Sequence, residues 1–185
     1  MRPRAGIRMS FWPMHSVIST SRLELRELDS GDAEFILQLL NEPGFIRFIG
    51  DKGVRTLADA RDYIHHGPRD SYARNGFGLY AACLRDGTPI GICGLVKREG
   101  LSDPDVGFAF LSRYWSSGYA VESAAAVLAH ARDTLRIKRV VAITSPDNWS
   151  SIAVLEKIGL KFERMIRLVD LSPELKLFCL AHADV

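Results

Sequence analysis

Residues 105–144 do most to limit what this chain can fold into. Asp105 to Leu111 alternates like a strand and runs, without a long loop, through Ser116-Ser117-Gly118 into a helical stretch. In that stretch, residues 118–135, Val121, Ala124, Ala125, Leu128 and Leu135 share one face, and the β-branched run Val140, Val141, Ile143 and Thr144 follows. Two strands joined by a helix of this length form the kind of connection that parallel neighbours need, whereas antiparallel neighbours are satisfied by a tight turn. The chain must therefore build a sheet with one parallel crossover.

The remaining segments predict antiparallel strands. Phe77–Leu84 and Ile90–Val96 flank Arg85-Asp86-Gly87-Thr88, and Asp-Gly is a strong hairpin signal because both central residues tolerate positive φ. Arg22–Leu28 alternates apolar and charged residues as a half-exposed strand. Asp29-Ser30-Gly31-Asp32 then offers caps for a helix through Phe35, Ile36, Leu39 and Leu40, which Asn41-Glu42-Pro43-Gly44 ends. Thr56 and Asp59 open a second helix carrying Leu57, Ala60 and Ile64, which Gly67-Pro68 interrupts or terminates. Asn148 to about Ile158 is helical, and strands around Phe162–Val169 and Leu175–Ala181 close the chain. The order β-α-α-β-β-β-α-β-α-β-β describes an α/β (α+β) domain: a mixed, mostly antiparallel sheet of about seven strands and about four helices.

Composition bounds the function. The 185 residues suit one domain, and 24 Lys plus Arg against 22 Asp plus Glu leave a net charge of +2, so nothing in the overall charge points to nucleic acid or to a membrane surface. Any anion site has to be local. Cys83, Cys93 and Cys179 have neither CxxC spacing nor a histidine cluster, and read as reduced, buried thiols of a cytoplasmic protein without a metal. No apolar run approaches the ~20 residues that span a bilayer. Residues 1–19, with Arg2, Arg4 and Arg8 ahead of Phe11-Trp12-Pro13, lack the apolar core of a signal peptide and read as a flexible extension or a misassigned start, with Met9 and Met14 as alternatives. The domain proper is taken as residues 20–185.

Two segments carry chemistry. Where the strand after Gly107 turns at Ser116-Ser117-Gly118 into a helix, the first backbone N–H groups have no intrahelical partner and the dipole is positive, which suits a diphosphate; Gly118 lets the backbone come close. Several charge-assisted N–H to phosphate bonds, each worth roughly 1.5–3 kcal/mol, anchor a nucleotide without a metal. A Ser-Ser-Gly before a helix also serves simply as a cap. The second segment, Pro146 to Leu160, follows a strand and sets Asn148 and Ser151 one helical turn apart.

Together these segments resemble the GNAT superfamily of N-acetyltransferases, in its RimJ/RimL-like branch, over about residues 20 to 180. Trp115-Ser-Ser-Gly118-Tyr-Ala120 matches the family's Gln/Arg-x-x-Gly-x-Gly/Ala loop at Gly118 and Ala120, with Trp115 in the Gln/Arg place. Tyr119-Ala120-Val121-Glu122 resembles the Tyr-Ala-Thr-Glu continuation, and Asn148, Ser151 and Glu156-Lys157-Ile158-Gly159 resemble the Asn-x-x-Ser and Glu-Lys-x-Gly-Phe elements, with Leu160 for Phe. Thr20-Ser-Arg-Leu-Glu-Leu-Arg26 is similar to the branch's entry strand.

The resemblance implies a sheet splayed into a cofactor cleft and an acetyl-CoA-dependent transfer to a primary amine, a protein N-terminal α-amine or a small molecule, by a monomer or homodimer. It implies that Ser116, Ser117, Gly118, Tyr119 and Ala120 hold the pyrophosphate, that Phe110 and Leu111 pair with the pantetheine arm like an added strand, and that Asn148 bonds that arm from its other side. Many relatives place a proton-donating Tyr seven residues after the Asn; here that position is Leu155, so Ser151 becomes the candidate acid and Asp105 the candidate base. Simpler readings stand beside these: Asn148 and Ser151 as helix-start residues, Asp105 as a solvated strand-edge charge, Glu122 as a dipole or hydrogen-bonding partner. Tyr114 and Trp115 either pack the helix start or line the acceptor mouth. A non-catalytic acyl-CoA-binding module of the same fold is the alternative, while a P-loop enzyme is set aside because no Gly-Lys-Ser/Thr accompanies the loop.

Overall fold

The structure, a computed structural model, describes residues 16–169 and 172–180. The candidate starts Met9 and Met14 lie outside the described residues. The described strands are β1 (Ser16–Ser19), β2 (Leu23–Arg26), β3 (Leu79–Leu84), β4 (Pro89–Val96), β5 (Asp105–Phe110), β6 (Val141–Thr144), β7 (Leu160–Ile166) and β8 (Leu175–Leu180). They form one sheet in the order β1-β2-β3-β4-β5-β6-β8-β7, antiparallel except where β5 meets β6. The eighth strand is β1, in residues assigned from sequence to the N-terminal extension; it pairs with β2 from Ser16↔Arg26 to Ser19↔Glu24.

Helices cover both faces. α1 (Ala33–Leu40), α2 (Pro43–Phe48), α3 (Leu57–Ile64) and α4 (Asp70–Asn75) precede β3, α5 (Tyr119–Asp133) makes the crossover from β5 to β6, and α6 (Trp149–Lys157) follows β6. Local chemistry sets their starts. Asp29 accepts from the Gly31 N–H while Asp32 accepts from the Asp29 N–H, and Thr56 and Asp59 bond each other's backbone N–H in the same reciprocal manner. Pro43 both follows the end of α1 and opens α2 at the first position, where its missing N–H costs nothing. Gly67-Pro68 does not stop the second helical run. His65–Arg69 widens into a π turn that carries Pro68, and the chain continues as α4 to a left-handed Gly76.

Because neighbouring side chains of a strand point to opposite faces, β3 sends Tyr80 and Ala82 into a core under α5 and α6, and Ala81 and Cys83 into a second core under α1 and α3. This two-sided burial explains the unbroken apolar run in the sequence. The β3–β4 hairpin differs from the two-residue turn expected. Only Gly87 adopts positive φ, the Leu84 carbonyl accepts from the Gly87 N–H, and the register shifts between Ala82 and Cys83, the signature of a turn with a bulge. Cys83 and Cys93 are buried, whereas Cys179, expected to be buried as well, is partly exposed.

Candidate active site

β5 and β6 pair at Asp105↔Val141 and then separate. A cavity of about 680 Å³ opens at that separation, lined at one end by Ser116 and Gly118 to Val121, along its length by Phe108, Phe110, Asn148 and Ser151, and at the other end by Asp105, Arg98, Tyr63 and Lys52.

One end of the cavity is formed by the turn that leads into α5. Gly118 is left-handed (φ +82°) and precedes α5 without any side-chain cap, so the helix presents its first N–H groups to the cavity. A Cβ at Gly118 would lie 3.3 Å from Arg22 Nη2 and would strain a backbone that L side chains rarely adopt. Ser117 does not line the cavity; its carbonyl accepts from Arg22 Nη1 at 2.9 Å. Arg22 reaches this loop from the start of β2, stacks over the Tyr119 ring at 4.5 Å, and donates from Nε to Glu122 at 2.6 Å. The Thr20 and Ser21 hydroxyls and the Arg22 N–H also donate to Glu122. Partial burial works against the charge of Glu122, but these donors outweigh it and draw the carboxyl down to about 2. Glu122 is thus a structural anchor, and Arg22 is a loop residue that sequence reading passed over, since its contacts lie about a hundred positions away.

The expected pairing along β5 needs one correction. The Leu111 N–H donates to the Ile90 carbonyl at 3.0 Å and its side chain is fully buried, so Leu111 faces away from the cavity. In an antiparallel ladder the groups pointing at one neighbour alternate with those pointing at the other, so Phe108 and Phe110, not Leu111, turn their N–H groups to the gap. The Phe110 carbonyl already accepts from Trp115 Nε1 at 2.7 Å. Trp115 also crowds Gly44 of α2, where a Cβ would come within 2.6 Å of its ring, and it lines the cavity with Tyr114.

Across the gap, the buried Asn148 caps α6 by accepting the Ser151 N–H at 3.1 Å, and both residues line the cavity. Leu155 is buried and carries no proton to give. Asp105 is not a solvated edge charge: it is 1% exposed and ion-paired with Arg98 Nε at 2.8 Å. Burial pushes its carboxyl above the ordinary range against the pull of Arg98. Lys52, on the loop between α2 and α3, is held below the usual lysine value by loss of water and by the like charge of Arg98. Arg47 of α2 reaches Asp147, just ahead of α6, at 3.5 Å, bridging the two walls at the surface. Among the described residues no cluster of His, Cys, Asp and Glu could hold a metal ion, and no helix is long and apolar enough to cross a membrane.

Comparison with known proteins agrees with this geometry. An acetyltransferase (GNAT) domain model matches residues 22–161. YkkB of Bacillus subtilis (strain 168) is 29% identical over 80% of this chain and 87% of its own length, and the N-acetyltransferase YnaD of the same organism is 28% identical over 79% and 83%. An acetyltransferase structure from Agrobacterium tumefaciens superposes with a TM-score of 0.77 over 97% of this chain and 100% of its own, at 23% identity. RimL, a ribosomal L7/L12 α-N-protein acetyltransferase in complex with CoA, does so with 0.76 over 86% and 94%, at 17% identity. A family match over most of the chain, a sheet that parts after one parallel rung and an uncapped helix start at the gap lead to one conclusion: this protein belongs to the GNAT acetyltransferase family and is an acyltransferase.

Proposed function

We propose that the protein transfers the acetyl group of acetyl-CoA to a primary amine, with a protein N-terminal α-amine among the acceptors its fold accommodates. The observation that carries this reading is the uncapped, left-handed entry to α5 at the end of a gap whose other wall presents Asn148 and Ser151. The N–H groups of Gly118, Tyr119 and Ala120 fit a diphosphate, aided by the positive helix end, and Ser116 lines the same turn. The N–H groups of Phe108 and Phe110 fit an extended amide-bearing arm from one side, and Asn148 from the other. Bound there, acetyl-CoA supplies a thioester whose carbonyl carbon accepts the amine.

This chain's residues then move protons. Asp105, with its pKa raised by burial, takes the proton of the attacking nitrogen directly or through water. As the carbon–sulfur bond breaks, Ser151 Oγ gives its proton to the departing sulfur and is reprotonated through water by the proton that Asp105 took from the amine. The Phe108 N–H, free on the gap side, is placed to stabilise negative charge on the carbonyl oxygen. Three free thiols suit a reducing compartment, and on that ground we assign the protein to the cytoplasm.

The test is calorimetry with acetyl-CoA. Gly118→Val should weaken binding at least tenfold, about 1.4 kcal/mol, by forcing an unfavourable φ and a side chain against Arg22. Equal affinity in the variant, with its fold intact by circular dichroism, overturns the loop assignment.

A further inference from the structure

The cavity has two chemically different ends. Asp105 and Phe110 are the first and last residues of β5, so at ~3.3 Å per residue they stand roughly 16 Å apart. The phosphate loop follows Phe110, which leaves the Asp105 end for the acceptor. Four charged side chains line the whole cavity, and three of them, Lys52, Arg98 and Lys157, are basic against Asp105 alone. Asp105 is committed to Arg98, and Asp51, beside Lys52, is held by Arg55 at 2.5 Å. No ion pair forms to the Lys52 ammonium among the described residues, so the acceptor end carries an uncompensated positive charge.

The neighbouring wall is apolar. α2 and the residue after it present Phe45, Phe48 and Ile49 to the cavity, and Ile49 remains 42% exposed. Asp105 shares its face of β5 with Ala109 and Leu111, which pack on the α1 and α3 side, so its carboxylate lies toward the layer that holds α2 and Lys52. An acceptor reaching Asp105 from the surface would run past that apolar wall and end near Lys52.

We infer that the acceptor is a primary amine with an apolar body and an anionic group, the anion being received by Lys52. The reading rests on the acetyl transfer proposed above and adds the acceptor's charge. It is also compatible with nucleophilic attack, because a cationic surround disfavours the ammonium form of an approaching amine and favours the neutral one. A carboxylate and a phosphate offer the same recognition chemistry, and a panel can separate them. In a peptide acceptor the anion would be an acidic side chain near the terminus.

The experiment measures acceptor-dependent thiol release from acetyl-CoA with matched aliphatic, aromatic and peptidyl amines, each presented as carboxylate, phosphate and neutral amide. The wild-type protein should prefer one anionic form to its amide by about tenfold or more in kcat/KM, the worth of one charge-assisted contact. Lys52→Met should erase most of that preference through the KM of the anionic acceptor, and Lys52→Glu should reverse it. Equal use of amide and anion, or a preference that survives both substitutions, overturns the inference and leaves acetyl transfer standing. Binding of acetyl-CoA without thiol release on any amine of the panel overturns both.

Discussion

At the scale of single residues, the site divides between what adjacent sequence announces and what distant sequence delivers. The places of Gly118, Asn148 and Ser151 on the cavity were legible because they follow from the helix starts these residues occupy. Those of Arg22 and Arg98 were not, since each is an ordinary charged residue until the fold brings it to the cavity. Leu111 was misplaced for a different reason: strand alternation was read without the parity of the ladder, which only the Ile90 pairing fixes. Glu122 offers a quantitative check on the residue reading. Its folded pKa of about 2 lies below the ordinary 4.5, so its contribution is complete above pH 4.5 and is lost as pH falls toward 2. Glu122→Gln should therefore lower stability at neutral pH by on the order of 1 kcal/mol, the partly exposed Arg22 partner keeping the figure modest. Denaturant midpoints of the two proteins should converge on acidification from pH 4.5 to 2; a gap that stays constant would mean that the anchor does not depend on the carboxylate's charge.

The elements were mostly readable because each carries its own punctuation. One capping box opens the short turn of residues 30–32 that leads into α1, another opens α3, and Asp-Gly marks the β3–β4 turn, although one bulged residue changes the turn type. Two elements escaped. β1 is only four residues long, SVIS, and is a strand because β2 offers it an edge and the core takes Ile18. The π turn at His65–Arg69 escaped because a proline inside a helical pattern reads as a stop, while a widened turn accommodates it. β4 holds the clearest vulnerability. A Cβ built on Gly94 would strike the carbonyl oxygen of Gly78, a backbone atom that cannot swing aside as a side chain can. Gly94→Ala should thus cost roughly 1–3 kcal/mol and depress the melting temperature by several degrees, as overpacking does. Calorimetric scanning would show it, and an unchanged melting temperature would mean that β3 yields there without strain.

For the whole molecule, the strand and helix order settled the architecture, because one long helix between two strands leaves few ways to build the sheet and hairpins supply the rest. The charge inside the cavity was not legible at this scale: a chain with nearly balanced charge still gathers three basic side chains against one acidic at a single site. The lone rung at Asp105↔Val141 has a mechanical consequence. On one side of it lie β1 to β5, on the other β6, β8 and β7, and few interstrand bonds stitch the two leaves together. Deuterium should therefore enter the Phe108 and Phe110 amides quickly in the unliganded protein and slowly once coenzyme A fills the seam, while the Ala109 amide, locked to β4, should barely respond. A ligand in that seam would act as the missing stitch, and mass spectrometry of β5 fragments would register how tightly it is drawn.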